Sequence, residues 1–391
     1  MTPGARVQAA IELLDQIIAA AHEGGAAADT IVQRYFATRR YAGSKDRRAV
    51  RELVFAAIRA CGEAPATGRA ALLLLARDDN ALAAAFDGSA HGPAPIAEDE
   101  PVAVAGSAPA WLVERMHAAD LNDTEIAALI ARAPLDVRVN RLVTTVEAIE
   151  AEIPGAAHIE GLPDALRLPA GSDVAPFAGR IEVQDAGSQI VSAAARAEPG
   201  MTVIDLCAGA GGKTLALAAA MQNTGRIIAA DTDRARLGKL KPRADAAEVT
   251  IAEPVLLDPG REFEALTEWR GAADVVLIDA PCSGTGTWRR NPEARWRLTP
   301  DRLARLVETQ RRLLQVGAGL VKPDGALVYV VCSLLDEEGA EQIDAFRARH
   351  PRWHAAPLVL PAGRARGAGV RLTPAHDDTD GFFVARLSAP C

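Results

Sequence analysis

The chain contains few cysteines, and their spacing matches no metal-binding or disulfide pattern. Five cysteines are spread over 391 residues, and no two of them form a C-x-x-C pair. An odd number of widely separated cysteines argues against a disulfide framework, and nothing in their spacing supports a zinc site. We therefore predict a protein without structural metal or disulfides.

Long hydrophobic runs are also missing. The longest uninterrupted apolar stretches, such as Ala70–Ala76, fall far short of the roughly 18 residues that a membrane-spanning helix needs. Near the start of the chain, Glu12 and Asp15 interrupt the apolar pattern, which is typical of an amphipathic helix and not of an export signal. We expect a cytoplasmic monomer with no membrane partner.

An overall basic charge is absent, because the formal net charge is −8. Local patches nevertheless decide binding to polyanions. From Arg34 to Arg51 seven Lys or Arg residues stand against one Asp, and from Trp288 to Leu313 eight Arg residues stand against three acids. Either segment is suited to holding phosphate groups.

The composition indicates several globular domains, since 49% of the residues are hydrophobic and 24% are charged. Residues 1–86 carry apolar positions at helical spacing and predict an all-helical domain. Residues 87–110 are rich in Gly, Pro, Ser, Ala and acids, which predicts a linker or a long surface loop, and we place a domain boundary there. Residues 111–182 predict a small α/β module with a strand at Leu135–Asn140 and a helix at Val146–Glu152.

Residues 183–391 show a regular alternation of apolar runs and helical stretches. Nearly continuous apolar strands that alternate with helices predict a parallel sheet covered on both faces, the doubly wound α/β fold. Ligands of such folds bind at the carboxyl ends of the strands. The predicted strands are Thr202–Leu206, Arg226–Ala230, Val249–Leu256, Asp274–Ile278 and Ala326–Val331.

A glycine-rich loop follows the first of these strands. Gly209, Gly211 and Gly212 precede a helix, so the backbone can turn tightly and approach a ligand at the helix N-terminus. The loop misses both the dinucleotide pattern and the phosphate-binding pattern by one residue. Asp231 ends the next strand, where an acid accepts hydrogen bonds from ribose hydroxyls. This combination favours a nucleoside cofactor without polyphosphate, a description that S-adenosylmethionine fits.

Two cysteines stand at strand ends. Asp279 and Cys282 follow one strand in DAPCSGTG, and Cys332 follows another in VVCSLL. A single buried cysteine is usually a small apolar residue, but two at strand ends, one of them close to a carboxylate, indicate chemistry. We keep the packing interpretation for Cys61 and Cys391.

These motifs resemble those of the Sun family of RNA cytosine-5 methyltransferases. CAGAGGKT is similar to the family's cofactor loop, DAPCSGTG to its base-contacting motif and VCS to its T-C-S motif, and DGFF follows near the end of the chain. The helical region with YAGSKDRRAVRE resembles the NusB-like domain of the bacterial members that act on small-subunit ribosomal RNA. The chain departs from the family in Ala210, where a Pro is usual, and in Val331, where a Thr is usual.

The resemblance implies a role for each matching residue. Cys332 is the expected nucleophile, Cys282 the expected aid to product release, and Asp279 the expected contact to the cytosine edge. Lys213 is expected near the reacting centre, where its charge polarises the base or lowers a thiol pKa. The residues expected to bind S-adenosylmethionine are Cys207, Ala208, Gly209, Ala210, Gly211, Gly212, Lys213, Asp231, Asp258 and Asp279.

The expected substrate is a cytosine in RNA, most directly 16S rRNA, that is single-stranded or flipped out of its helix. The basic segments predict the RNA contacts, because WRRNPEARWR interleaves tryptophan with arginine. Two other functions stay open: a non-catalytic RNA-binding or ribosome-assembly protein, and a methyltransferase for tRNA, another RNA, DNA or an exocyclic amine. The predicted RNA-binding residues are Arg39, Arg40, Lys45, Arg47, Arg48, Arg289, Arg290 and Arg295.

Overall fold

The computed structural model describes all 391 residues and divides them into two compact units. The first unit comprises Met1–Arg132 and Thr287–Thr299, and the second comprises Ala133–Gly286 and Pro300–Cys391. The division after Arg132 differs from the predicted boundaries, which lay at residues 87–110 and after residue 182. Residues 287–299, which we predicted to belong to the C-terminal domain, are part of the first unit.

The first unit is helical. Its longest helix, α1, is capped at its start by Thr2, whose hydroxyl accepts from Ala5 N, and ends at Gly24 with φ of 74°. One face of α1, including Leu13, Leu14 and Ile17, is fully buried in the core of this unit. The helices are α1 (Pro3–Glu23), α2 (Ala28–Ala37), α3 (Ser44–Ala60), α4 (Gly68–Ala76), α5 (Asn80–Ala84), α6 (Ala110–Ala118) and α7 (Asp123–Ala128), with a 3₁₀ turn at Pro292–Arg297.

Residues 87–109 contain no helix or strand, in agreement with their composition. They are nevertheless packed against the helices of the same unit. Ala103 N donates to Ala70 O over 3.1 Å, Gly106 N donates to Ala60 O over 3.0 Å, and Glu100 forms an ion pair with Arg69. This segment is therefore a long surface loop on the helical unit, one of its two predicted interpretations, and the chain divides further on, after Arg132.

The second unit contains a small antiparallel sheet with the strand order β2-β3-β1-β4. The predicted strand and helix near residues 135 and 146 are both present. The Asn140 side chain donates to Gly179 O and Ala247 O over 2.8 and 2.9 Å, which ties this sheet to the remainder of the unit. The elements are β1 (Leu135–Val139), α8 (Val146–Glu152), β2 (Ala157–Ile159), β3 (Leu162–Leu168) and β4 (Ile181–Val183).

The larger sheet has nine strands. Five of them run parallel in the order β9-β8-β5-β6-β7, as the apolar runs predicted, while the strands beyond β9 are antiparallel. The elements are α9 (Ala186–Ala193), β5 (Thr202–Leu206), α10 (Gly212–Ala220), β6 (Arg226–Asp231), α11 (Arg234–Leu237), α12 (Leu240–Ala246), β7 (Ala252–Leu256), α13 (Glu262–Ala265), β8 (Ala273–Asp279), α14 (Pro300–Leu320), β9 (Val321–Val331), α15 (Ala340–Arg349), β10 (His354–Ala355), β11 (Arg364–Arg366), β12 (Gly369–Leu372), α16 (Pro374–Asp377) and β13 (Phe382–Ser388).

The parallel strands are buried on both faces. β5 and β8 supply fully buried residues such as Ile204 and Val276, because helices cover the sheet on each side. The order β9-β8-β5-β6-β7 places the loops that follow these strands side by side along one edge of the sheet. No helix is long and apolar enough to span a membrane.

Candidate active site

The glycine-rich loop between β5 and α10 forms a tight cradle. Gly209 and Gly211 have φ of 57° and 87°, in the left-handed region that favours glycine. A Cβ atom at Gly209 would collide with the Arg236 guanidinium, and one at Gly211 with the Leu240 side chain. Cys207 also has a positive φ, 74°, which a non-glycine residue adopts only under constraint from its surroundings. The backbone of this loop is therefore held close to the end of the sheet.

Asp231 closes the cradle from the end of β6. Its carboxylate accepts from Gly209 N and from Asp233 N, each over 2.7 Å. One residue beyond the end of β7, Leu257 N donates to Asp231 O, and the exposed Asp258 follows directly. The two predicted cofactor acids thus follow neighbouring strands at the same edge, beside the glycines.

Asp205, next to the cradle on β5, is a feature that sequence reasoning missed. Its side chain is fully buried, and burial raises its pKa from 3.8 to about 6. One carboxylate oxygen accepts from the Thr214 hydroxyl over 2.6 Å, whereas the other has no partner in the protein. A buried polar atom without a partner is rare, and a donor group on a bound cofactor is one means of satisfying it. The cradle, Asp231 and Asp205 together fit a nucleoside cofactor with an amino group.

Lys213 and Asp279 form an ion pair between the first turn of α10 and the end of β8. The Lys213 Nζ atom lies 2.7 Å from Asp279 Oδ2, and Lys213 is only 9% exposed. Burial lowers the pKa of Lys213, but the attraction of Asp279 outweighs it, so that the net pKa is raised. A lysine that stays charged in a buried place provides a fixed positive potential at the end of the sheet.

The two predicted cysteines lie in contact. Cys282, three residues beyond β8, and Cys332, the first residue beyond β9, have their Sγ atoms 3.3 Å apart. The hydrogen bond with Cys332, followed by burial, raises the pKa of Cys282 well above its usual value. Cys282 is therefore held as a thiol at neutral pH beside the second sulfur.

Cys207 differs from these two thiols. Burial, followed by the charge of Asp231, raises its pKa well above the usual value. Its backbone N donates to Ala230 O over 2.8 Å and fixes the start of the cradle. The backbone of Cys207 thus forms part of the cradle.

A polar network lies beneath the two cysteines and was not anticipated from the sequence. The buried Glu338 carboxylate accepts from the Ser283 and Ser333 hydroxyls, and each serine directly follows one of the cysteines. Gln310 and Thr285 extend the network. Sequence reasoning missed these residues because Ser and Glu in polar loops are common; their only signal was adjacency to the cysteines.

The first basic segment, in the helical unit, is largely open to solvent. Arg40, Lys45, Arg47 and Arg48 are exposed, and Arg39 is half-buried with its guanidinium 3.6 Å from the centre of the Tyr35 ring. Arg39 donates to Tyr35 O, and Arg47 donates to Ala42 O. The role of the five side chains in RNA binding stays a prediction.

The second basic segment differs. Arg295 is fully buried, and its guanidinium donates to Ile58 O over 2.6 Å and to Cys61 O over 2.8 Å. Arg289 is only 4% exposed, and Trp288 and Trp296 belong to the buried side chains as well. The structure gives no support to the prediction that Arg289 and Arg295 bind RNA, because both side chains are buried in the protein. Arg290 is half-buried, and its role in RNA binding stays a prediction.

Comparisons with known proteins agree with the site. A family model described as "16S rRNA methyltransferase RsmB/F" matches residues 193–388. The chain is similar to the "Probable ribosomal RNA small subunit methyltransferase B" of Synechocystis sp., with 36% identity over 72% of this chain and 66% of the relative. It is also similar to the ribosomal RNA small subunit methyltransferase B of Sodalis glossinidius, with 34% identity over 75% of this chain and 69% of the relative.

The alignments thus span about two thirds of the length of these curated relatives. Among solved structures, the crystal structure of PH0851 superimposes with a TM-score of 0.76 at 25% sequence identity. That match covers 99% of both chains. Both compact units therefore have a counterpart in a known structure.

Proposed function

The chain belongs to the RsmB/F family of 16S rRNA methyltransferases, and on this basis we propose that it methylates C5 of a cytosine in 16S rRNA. S-adenosylmethionine supplies the electrophilic methyl group when it is bound. The observation that carries the proposal is the pair of thiols, 3.3 Å apart, at the ends of two adjacent strands beside the glycine cradle.

Carbon C5 of cytosine is a weak nucleophile, and Cys332 is suited to activating it. The Cys332 thiolate adds to C6 and forms an S–C6 bond, while the C5–C6 π electrons make C5 an enamine carbon. After C5 has accepted the methyl group, loss of its proton to a base restores the C5–C6 double bond. The electron pair of the S–C6 bond then leaves with Cys332 as thiolate. The net products are methylated RNA, the demethylated cofactor and one proton.

Lys213 and Asp279 act on the charge of the base. Asp279 accepts hydrogen bonds from the N3 and N4 edge of the cytosine and favours protonation at N3, which offsets the electron density that builds up during addition. The fixed positive charge of Lys213, 2.7 Å from Asp279 Oδ2, stabilises the carboxylate and the neighbouring thiolate electrostatically. Both side chains lie at the end of the sheet where the cysteines are found.

Cys282 assists the end of the reaction. The raised pKa of Cys282 keeps its thiol protonated, so that once Cys332 is a thiolate, Cys282 can donate a hydrogen bond to the sulfur of Cys332. A sulfur that accepts such a bond leaves C6 more readily as a thiolate. This assignment agrees with the role that the family resemblance implies for Cys282.

The substrate cytosine has to be unpaired, because a thiol at a sheet edge cannot reach C6 inside a base-paired helix. The exposed basic side chains of the helical unit, among them Arg40 and Lys45, serve as phosphate contacts for the surrounding RNA. A non-catalytic assembly role is less well supported, since both cysteines and the ion pair between Lys213 and Asp279 are present.

The decisive experiment compares single cysteine variants on 16S rRNA. Cys332→Ala should abolish methyl transfer and leave cofactor binding unchanged, whereas Cys282→Ala should accumulate a covalent protein–RNA adduct that denaturing gels detect. Cys391→Ala, at an exposed position, is the matched control and should behave as the parent protein. Normal turnover by Cys332→Ala would refute the proposed mechanism.

The target nucleotide is a separate question. Bisulfite mapping of ribosomal RNA from cells with and without the protein should reveal one cytosine that loses its protection in the deletion strain. Reintroduction of the Cys332→Ala variant should leave that cytosine unmethylated. If the modified cytosine lies in tRNA and not in 16S rRNA, the proposed reaction mechanism stands and the proposed substrate is wrong.

A further inference from the structure

The buried carboxylate of Glu338 joins the two cysteine loops. Glu338 is 0% exposed and follows β9 by seven residues. Its Oε1 atom accepts from Ser283 N over 2.8 Å and from Gln310 Nε2 over 2.9 Å. Its Oε2 atom accepts from the hydroxyls of Ser283 and Ser333. One side chain thus has four donors, and three of them belong to Ser283 and Ser333, the residues that directly follow the two cysteines.

The donors belong to three different elements. Ser283 lies in the loop after β8, Ser333 in the loop after β9, and Gln310 in the middle of α14. The two serine hydroxyls are also 3.1 Å from each other. Both loops donate to the Glu338 carboxylate. If either loop moves, it therefore loses its hydrogen bonds to Glu338 and its contact with the serine of the other loop.

Further bonds fix Glu338 itself. The buried Tyr329 hydroxyl, on β9, donates to Glu338 O over 2.7 Å. Thr285 Oγ1 lies 3.1 Å from Ser333 Oγ and accepts from Leu334 N over 2.9 Å. These bonds hold the Glu338 backbone and the Ser333 hydroxyl in place from within the same loops and strands.

We propose that Glu338 is a positioning residue that holds the Cys282 and Cys332 loops in register. We call this arrangement of Glu338, Ser283 and Ser333 the clamp. Ser283 directly follows Cys282 in the chain and Ser333 directly follows Cys332, so the two serines connect Glu338 to the two cysteines. The inference rests on the proposed methyltransferase function for its catalytic consequence. Its geometric part, the spacing of the two sulfurs, depends on the structure alone.

The physical reason for a carboxylate is the number of donors that converge on one point. Replacement by Ala leaves four donors without their acceptor in a buried space, a cost that allows the loops to separate. Replacement by Gln keeps one oxygen toward Ser283 N and Gln310 and turns an amide nitrogen toward the hydroxyls, which can accept. Gln should therefore restore most of the arrangement, in contrast to Ala.

The first experiment measures the spacing of the sulfurs without RNA or cofactor. Dibromobimane alkylates two nearby thiols, forms two thioether bonds with loss of two bromides and two protons, and fluoresces once both have reacted. A Cys391→Ser background removes the exposed thiol. In that background we expect Glu338→Ala to slow bridging of Cys282 to Cys332 by about tenfold, because the loops separate. Glu338→Gln should bridge at nearly the parent rate.

The second experiment measures turnover on 16S rRNA. Glu338→Ala should lower kcat by about 100-fold, as expected when a reacting group is misplaced by about 1 Å. The KM for S-adenosylmethionine should change less than about twofold, because the glycine cradle does not contact Glu338. Glu341→Ala is the matched control, since Glu341 is exposed three residues further along the chain.

The outcomes separate the two proposals. Parent rates of bridging and turnover in Glu338→Ala would overturn the positioning role and leave the methyltransferase function intact. Slower bridging in Glu338→Ala, together with a parent protein that methylates no RNA, would overturn the proposed function and support the clamp. If Glu338→Ala does not fold, Ser283→Ala with Ser333→Ala carries the same test, and unchanged bridging in that double variant refutes the inference.

Discussion

The two arginine-rich segments of the helical unit have similar compositions and opposite environments. The segment from Arg39 to Arg48 is mainly exposed, whereas the segment from Trp288 to Arg297 is largely buried. Both were predicted to bind RNA. The difference shows that the number of arginines in a segment does not reveal whether the guanidinium groups face solvent or the backbone of the protein.

The buried segment contacts the carbonyl groups at the end of helix α3. Helix α3 ends at Ala60, and the carbonyl groups of its last turn have no partner within the helix. Arg295 Nη2 donates to Ile58 O and Cys61 O, and the Trp296 indole donates to Cys61 O over 3.2 Å. Arg295 therefore caps the C-terminus of α3, where a cation also interacts favourably with the helix dipole.

The largest predicted loss of stability comes from removing this cap. Arg295→Ala should destabilise the helical unit by about 3 to 5 kcal/mol, because the substitution leaves buried carbonyl groups without donors and opens a cavity. Chemical denaturation would give the free energy of unfolding. Alkylation of Cys61 offers a second readout, since burial raises the pKa of that thiol to about 11 and protects it in the parent protein.

A matched control for this prediction is Arg48→Ala. Arg48 is exposed in the other segment, so its removal should change the free energy of unfolding by less than about 0.5 kcal/mol. Equal stability of the two variants would mean that Arg295 does not serve as an anchor.

Sequence patterns were sufficient for the elements whose physical cause is local. The strand run Thr202–Leu206 and the helix Val146–Glu152 agree with the structure to the residue, because apolar runs and helical spacing reflect burial directly. The strands β10 to β13 were not predicted. β10, β11 and β12 have only two, three and four residues, and β13 pairs with β9 across 52 positions (Phe383 with Val331), so no periodic signal marks them.

The candidate site divides in the same manner. Cys282, Cys332 and Gly209 could be predicted, since residues that follow buried strands gather at one edge of a sheet. Glu338 and Arg295 could not. Their roles depend on donors and carbonyl groups that only the folded chain brings to them, from residues up to 237 positions away in the case of Ile58.

The second prediction extends the comparison to a buried charge with too few partners. The pKa of Asp205 is raised from 3.8 to about 6, so the folded state binds a proton more tightly than the unfolded state. The contribution of Asp205 to stability is therefore largest below pH 3.8, falls as the pH rises through about 6, and levels off above it. Relative to Asp205→Asn, the parent protein should lose about 2 kcal/mol of unfolding free energy between pH 4 and pH 7.

Urea denaturation of both proteins at several pH values measures this difference. The Asp205→Asn variant is its own control, because Asn does not titrate in this range. Parallel profiles of the two proteins would show that Asp205 has the same proton affinity in the folded and unfolded states.

The third prediction concerns a smaller anchor in the buried segment. Arg297 is half-buried and donates to Gly25 O over 2.7 Å and to Ala26 O over 2.6 Å, just beyond the end of α1. Arg297→Ala should cost about 1 kcal/mol of unfolding free energy, since water can replace part of the lost bonds. A loss as large as that of Arg295→Ala would contradict the dependence on burial.

Substitutions in the exposed segment should have the smallest effect on stability and a clear effect on the salt dependence of RNA binding. Replacement of Arg40, Lys45 and Arg48 by Gln should leave the unfolding free energy within about 0.5 kcal/mol of the parent value. If all three contact phosphates, the slope of log K against log salt for single-stranded RNA should decrease in magnitude by about 2. Replacement of the exposed Arg77, Arg349 and Arg352 by Gln removes the same charge elsewhere and should leave the slope nearly unchanged. Equal slopes for both triple variants would mean that the exposed segment does not face RNA, and a protein partner would then explain its charge.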